Sequence, residues 1–434
     1  MVTYNPFNPN STVTPTLFAG RSDQTLQIIS KLAQVKRGMS SNFIFHGERG
    51  IGKTALARSI LHIAESKNQR SENLNFLTSY YSVEKGQHFR TVLQAVLNQL
   101  TDKLPKPSIE RLTDRLGDLF KRGKFSFGAF GMNVAIDSKQ MGFPLDEDNI
   151  EQHFKDQVVS VLTNILLGLK EVEKQKKYDG LLIVLDEIHN AKDIQGIAQL
   201  IRSITTTLDM NDLGNISFII IGYSEAIQSF FEGDPSARRS FDSISLTGMP
   251  HEEAKEVLTK GFDEARIGYD KKILDEKVKL AGGYPHSLQV LGHNLIEVDT
   301  DNYIGVDDWG EAIGEAAREL QDKEFLNLYN FKGKQKLREE ILNILAWAMV
   351  PVPKSILAKE FPSNIHSKSC LPELKKSGAV KEDPETGNLS LHSSLFRSAI
   401  FFHTVNKSSF IKNEKWWEIC QRITKRLKPD EIEG

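Results

Sequence analysis

Residues 45–60, Phe-His-Gly-Glu-Arg-Gly-Ile-Gly-Lys-Thr-Ala-Leu-Ala-Arg-Ser-Ile, decide the fold class. Gly47 is followed by four residues and then by Gly52-Lys53-Thr54, the G-x-x-x-x-G-K-[ST] spacing of a phosphate-binding loop. Across Gly47, Glu48, Arg49, Gly50, Ile51, Gly52 and on to Ala55, the glycines let successive backbone N–H groups turn inward around a phosphate. The start of the following helix adds a partial positive charge. In such a loop Lys53 reaches the β- and γ-phosphates, and Thr54 offers its hydroxyl to Mg²⁺. The expected cofactors are therefore ATP and Mg²⁺.

The loop sits where it must, between an apolar run at 42–46 that reads as a buried strand and a helical pattern at 54–65. A partner strand lies at 181–185, ending in Asp186-Glu187. An acid at the carboxyl tip of a central strand emerges beside the phosphate loop. Asp186 suits a direct or water-mediated Mg²⁺ contact, and Glu187 suits the carboxylate that polarises an attacking water.

Further strands are expected near 74–83, 216–221 and 243–246. Helices are expected after Gly20-Arg21, with Asp23 as N-cap and Leu26, Ile29 and Leu32 on one face, and over Phe89, Val92, Leu93, Val96 and Leu100. A long helix carries Val158, Leu162, Ile165, Leu169 and Val172, and another spans 194–208. Strands alternating with helices imply an α/β fold whose parallel sheet is covered on both faces, with the ligand site at the strands' carboxyl ends. Residues 101–148 break the rhythm and read as an insertion with a hairpin over 123–137. Its Phe125, Phe127 and Phe130 serve either a subunit or client contact or a small satellite core.

From 250 to 330 only helical patterns remain. Three more follow near 335–347, 353–361 and 366–377, then a two-strand wing at 379–383 and 388–392 that turns at Pro384–Gly387. Helix, helix, helix, wing is the winged-helix pattern. Trp416-Trp417 sits on an expected packing helix, and residues 1–16 read as an extended arm.

Of the 434 residues, 39% are hydrophobic and 26% charged, as in a globular protein with full cores. No apolar run approaches the roughly 18 residues of a membrane helix. No basic-then-apolar leader opens the chain, so no membrane association and a cytoplasmic location are expected. Cys370 and Cys420 are too few and too far apart for a disulfide framework or zinc site. The net charge of −2 does not make the whole molecule a polyanion binder. Residues 321–434, with 19 Lys and Arg against 14 Asp and Glu, are mildly basic.

With both nucleotide motifs placed, the chain resembles the AAA+/STAND group of P-loop ATPases, near archaeal-type and replication-initiator-like ATPases. Phe18-Ala-Gly20-Arg21 resembles that group's entry segment beside the adenine. Ile219-Ile-Ile-Gly-Tyr-Ser224 falls on the strand that ends in a polar "sensor 1" residue; Ser224 is the nearest match and Tyr223 the alternative. Asp234-Pro-Ser-Ala-Arg-Arg239-Ser-Phe241 resembles the segment carrying the arginine finger, with Arg239 favoured over Arg238. Ala281-Gly-Gly-Tyr-Pro-His286-Ser-Leu resembles the "sensor 2" region. Initiator-type relatives have an arginine where His286 falls, whereas STAND relatives have a Gly-x-Pro that Gly283-Tyr284-Pro285 matches, which turns Pro285 to the nucleotide.

The resemblance implies a five-stranded parallel AAA+ core at 17–249, a helical lid at 250–330 and a winged-helix domain with helical tail at 331–434. It also implies an ATPase that forms homo-oligomers on binding nucleotide, with Arg239 reading a neighbour's γ-phosphate. Such a protein switches or assembles to control a protein effector encoded elsewhere; no effector motif is visible in these residues. The alternative is an initiator-like or loader-type ATPase that binds DNA through the winged helix. Lys368, Lys375 and Lys376 would then enter a major groove, interrupted by Glu373. A small-molecule kinase or GTPase fits poorly. No guanine-reading Asn-Lys-x-Asp segment follows Ile219–Ser224, and a kinase has no use for the long helical and wing region.

Overall fold

The computed structural model describes residues 4–65, 74–104, 147–171, 178–232, 234–325, 335–348, 351–360 and 364–406. The chain divides into two compact units. One, the sheet unit, comprises Ser22–Arg49 and Lys53–Leu246; the other, the helical unit, comprises Met1–Arg21, Gly50–Gly52 and Thr247–Gly434.

In the sheet unit, β1 (Asn42–His46), β2 (Phe76–Ser82), β3 (Gly180–Asp186), β4 (Ile216–Gly222) and β5 (Phe241–Ser245) form one five-stranded sheet in the order β2-β3-β4-β1-β5. Every pairing is parallel, with Ile44 opposite both Ile220 and Ser243. β3 and β4 are buried along all their residues, as continuous apolar runs in a sheet covered on both faces should be. The order places the carboxyl ends of β1 and β3 on either side of β4.

The helices of this unit are α1 (Ser22–Val35), α2 (Lys53–Ala64), α3 (Phe89–Asp102), α4 (Glu147–Glu171), α5 (Ile197–Asp209) and α6 (Ser224–Glu232). The apolar stripes of α3, α4 and α5 share one core with the sheet, from Phe89 and Val92 through Val158, Leu162, Ile165 and Leu169 to Ile201 and Leu208. Val172, the 123–137 hairpin, nearly all of the 101–148 insertion, Cys420 and the Trp416-Trp417 tail lie outside the described residues.

Three local expectations are corrected. Asp23 lies inside α1, which starts at Ser22, so it is not an N-cap. The buried face of α1 is Ile28, Ile29, Leu32 and Val35, while Leu26 is 67% exposed. α5 starts at Ile197 rather than 194, because Gly196 at φ 87° breaks the helical path before it.

The helical unit contains α7 (His251–Ala265), α8 (Lys271–Lys277), α9 (Pro285–Val298) and α10 (Val306–Glu324). It is not wholly helical: β6 (Gly268–Tyr269) and β7 (Tyr303–Ile304) pair in parallel. Its last part holds α11 (Gln335–Ala348), β8 (Val352–Pro353), α12 (Lys354–Glu360), α13 (Asn364–Lys376), β9 (Val380–Glu382), β10 (Asn388–Leu391) and α14 (Ser394–Asn406). The expected two-strand hairpin gains a third strand, in the order β8-β10-β9 and antiparallel throughout.

The arm at the start of this unit is fastened to it. Phe7, 3% exposed, fills a slot over Gly261 of α7 and Gly292 of α9, with its ring edge-on to Phe262 at 5.7 Å. A Cβ added at Gly261 would meet the Phe7 Cζ at 2.0 Å, and one at Gly292 would meet Cε1 at 2.6 Å. Asn5 Nδ2 donates to the carbonyl of His293 at 3.1 Å and to Glu297 Oε1 at 3.0 Å. Among the described residues no helix is long and apolar enough to cross a membrane.

Candidate nucleotide site

The phosphate loop leaves the carboxyl end of β1 and enters α2, as a strand–loop–helix unit should. Gly50 at φ 77° and Gly52 at φ 96° hold left-handed positions that L side chains rarely adopt. Lys53, only 8% exposed, donates from Nζ to the carbonyls of Gly47 at 2.9 Å and Glu48 at 2.8 Å. Burial pushes its pKa below the ordinary lysine value, opposed by the carboxylates of Glu187, Asp186 and Glu48. The ammonium also lies 4.9 Å from the centroid of the Tyr223 ring, a cation–π contact.

Asp186, the last residue of β3, is 2% exposed and fully engaged. Its Oδ2 accepts from Thr54 Oγ1 at 2.7 Å and from Tyr80 OH at 2.7 Å, and its Oδ1 accepts from the Glu187 N–H at 2.8 Å. Burial and then the Asp186 charge push the Tyr80 phenol well above the ordinary tyrosine value. The Arg58 guanidinium lies 5.5 Å from the centroid of the same ring. The convergence of a hydroxyl and a buried carboxylate is an all-oxygen donor set, which suits Mg²⁺.

Glu187 has φ 56°, a left-handed conformation unusual for a side-chain-bearing residue, and caps the short 3₁₀ turn Ile188–Asn190. Its Oε2 is 3.0 Å from His189 Nε2. The His189 ring packs on Tyr223 with centroids 4.3 Å apart. Burial followed by the Glu187 charge raises the Tyr223 phenol above its usual value. Ser224, by contrast, opens α6, and its hydroxyl is 3.3 Å from His46 Nδ1. Burial, then the nearby Lys53, lowers the pKa of His46. At the end of β4 it is therefore Tyr223, the alternative, that contacts Lys53.

The 3₁₀ turn Pro235–Ser240 carries both arginines on its exposed side. Asp234 caps the turn by accepting from the Ser236 N–H at 2.9 Å and takes Arg202 Nη1 at 2.8 Å. Arg238 lies over the Phe231 ring at 5.2 Å. Arg239 has no hydrogen bond, ion pair or ring partner among the described residues.

The helical unit includes the loop tip Gly50–Gly52, and the remaining expected residues gather on it. Gly20 and Arg21 are both left-handed, at φ 71° and 61°. Arg21, 2% exposed, donates from Nη2 to the carbonyls of Ile51 at 3.1 Å and Thr247 at 2.6 Å. Burial lowers its pKa, with Glu253 opposing. Pro285 occupies the first position of α9. A Cβ at Gly52 would lie 3.6 Å from Pro285 Cγ, and one at Gly50 would lie 3.3 Å from Tyr284 Cε1 and 3.4 Å from His286 Cβ.

Sequence motifs alone did not single out Tyr80, Arg58, His46 or His189. Only the last carried a signal, being two residues from an expected catalytic glutamate.

Residues 17–219 match the family model described as AAA ATPase domain. No curated protein matches the sequence. Among solved structures, the fold is similar to that of the ORC2 protein of Aeropyrum pernix, solved as complexes with ADPNP and ADP. The two share 14% identity with a TM-score of 0.50, over 93% of this chain and 98% of that one. A Walker-type ATPase of Pyrococcus abyssi matches at 14% identity and a TM-score of 0.45, over 91% of this chain and 99% of that one. The Cdc6 protein of Pyrobaculum aerophilum matches at 14% identity and a TM-score of 0.41, over 94% and 97%.

Proposed function

We propose, from the match of residues 17–219 to the AAA ATPase domain and from the five-stranded parallel sheet that runs on to Ser245, that the chain binds ATP with Mg²⁺ and hydrolyses it. The observation that carries the proposal is the convergence of Lys53, Thr54, Asp186 and Glu187, drawn from two segments far apart in sequence. Lys53 would neutralise phosphate charge, and Thr54 and Asp186 would hold the cation. Glu187 would accept a proton from the attacking water as its oxygen bonds the γ-phosphorus and the bond to the β–γ bridging oxygen breaks, so that inorganic phosphate forms and ADP leaves with that oxygen. Bound Mg²⁺ would supply charge neutralisation on the phosphates. Gly20, Arg21, Pro285 and His286 frame the loop tip.

The output we propose is assembly. Arg239 is exposed, and no described residue of its own chain engages it, as suits a finger offered to the γ-phosphate of a second copy. Nucleotide state would then set the oligomer, in the manner of an AAA+/STAND regulator acting on a separate protein effector. DNA binding is the second reading, supported by a last segment in which helices α11, α12 and α13 with the three-stranded sheet fit a winged helix. It is the weaker of the two. Lys375 is paired with Glu382, which also holds Lys354, so the charge left to meet phosphates from α13 is small.

Mass photometry without nucleotide, with ADP and with a non-hydrolysable ATP analogue tests the proposal, each arm with and without duplex DNA. The expected result is a larger species only with the ATP analogue, absent in Lys53→Ala. An unchanged mass in every arm would sink the assembly reading, and a DNA-dependent species would favour the second.

A further inference from the structure

We propose that His189 is a positioning residue for Glu187, holding that carboxylate through one Nε2–H···Oε2 hydrogen bond so that Oε1 is presented to water. The proposal rests on the ATPase reading and assigns a new residue to the same site.

The left-handed backbone of Glu187 sends its side chain off the regular path of a strand or helix, and the χ angles beyond Cβ are fixed only if a neighbour holds the carboxylate. The 3₁₀ turn that follows brings His189, two residues on, back against it at 3.0 Å. His189 is itself well held. Its ring packs on Tyr223 at 4.3 Å, and that same ring carries the Lys53 ammonium 4.9 Å from its centroid. The imidazole is also the less exposed partner, with side-chain exposure of 23% against 39% for Glu187.

The second ring nitrogen fixes the tautomer. Nδ1 is buried and has no hydrogen-bond partner. A proton there would bury a donor with no acceptor and would leave the Nε2 lone pair facing carboxylate lone pairs. The proton therefore sits on Nε2, aimed at Oε2. With Oε2 occupied, Oε1 has no hydrogen-bond partner among the described residues. A carboxylate with one oxygen tied and the other open has a defined direction for accepting a proton, which a freely rotating glutamate lacks. Glu187, His189, Tyr223 and Lys53 thus form a continuous chain of contacts from the half-exposed carboxylate to the ammonium of the phosphate loop.

Three variants of the full chain separate positioning from packing. His189→Phe keeps a ring on Tyr223 and loses the donor, His189→Gln restores an N–H donor without the ring, and Glu187→Gln controls for the ATPase reading itself. Steady-state ATP hydrolysis gives kcat and KM, and titration with a fluorescent ATP analogue gives affinity. His189→Phe is expected to lower kcat about ten-fold with affinity changed by less than about two-fold, and His189→Gln to recover most of the loss. Wild-type kcat in His189→Phe, while Glu187→Gln abolishes hydrolysis, would overturn the positioning role and leave the ATPase reading standing. Equal losses of kcat and affinity in both histidine variants would also overturn it, in favour of packing. A wild-type chain with no more turnover than Glu187→Gln would overturn both.

Discussion

Thr54 Oγ1 donates to Asp186 Oδ2 at 2.7 Å, joining the second residue of α2 to the last residue of β3 across 132 positions of sequence. A hydroxyl and a carboxylate locked together in a buried setting form a pre-organised oxygen pair for a divalent cation. Asp186→Asn keeps the shape and removes the charge. It should weaken ATP affinity in Mg²⁺ by about ten-fold, or ~1.4 kcal/mol, with little change in EDTA. Fluorescent-nucleotide titration in the two buffers checks this. An equal loss in both would mean that Asp186 serves the loop's shape rather than the metal.

Lys53→Ala should reduce nucleotide affinity by about a hundred-fold or more, since the buried ammonium of the phosphate loop has no substitute there. The wild-type protein should also show a pH signature. Burial first lowers the Lys53 pKa, with Glu187, Asp186 and Glu48 opposing, and the ammonium exists only below that pKa. Affinity should therefore fall as pH rises through a value below the ordinary lysine range. Titrations on the alkaline side, at fixed free Mg²⁺, would reveal the decline; its absence would deny the lysine this role.

The two neighbouring arginines should part company. Arg239→Ala is expected to abolish the nucleotide-dependent oligomer and most hydrolysis while leaving monomer affinity within about two-fold. Arg238, resting on Phe231, should on replacement by Ala cost about 0.5–1 kcal/mol of stability and leave assembly intact. Mass photometry and chemical denaturation of each variant separate the outcomes. Loss of assembly in Arg238→Ala instead would reverse the assignment.

In the helical unit, Asp275 accepts from Lys255 Nζ at 2.8 Å and lies 3.0 Å from His251 Nε2, and these contacts lower its pKa from 3.8 to about 2. A depressed carboxylate pKa stabilises the fold above the unfolded value. That contribution is lost as pH falls from 3.8 towards about 2, where the unfolded chain binds the extra proton. Asp275→Asn should therefore flatten the acid limb of the stability curve in this window. Denaturant unfolding at a series of acidic pH values would show it, and an unaltered slope would rule the carboxylate out.

The three central strands β1, β3 and β4 could be read from the sequence because each is a short, mainly apolar run, whereas β2 and β5 mix polar residues into weaker patterns. Helix faces were harder. On α1, Leu26-Ile29-Leu32 and Ile28-Ile29-Leu32-Val35 both fit a helical period, and only packing against the sheet selects the second. Strands of two residues, β6 and β7, have no period to detect. At the site, motif residues were legible because their spacing is fixed by the phosphate loop itself. Tyr80 was not, since it reaches Asp186 only through the pairing of β2 with β3, 106 positions apart. His189 was hidden by its spacing. In a helix, side chains two residues apart point to nearly opposite sides, and here a left-handed Glu187 followed by a 3₁₀ turn brings the two together.

The slot occupied by Phe7 ties three positions into one inheritance. Gly261 and Gly292 each lack a Cβ where the aromatic ring must pass, so neither can gain a methyl group while Phe7 stays. Relatives of this chain with alanine or larger at either position should carry a small residue, or no equivalent of the arm, at position 7. The converse also holds: where the aromatic is lost, the two glycines are released to drift towards the better helix formers that their places in α7 and α9 would otherwise favour. Correlated substitution at 7, 261 and 292 is thus the expected evolutionary imprint of how the arm is seated.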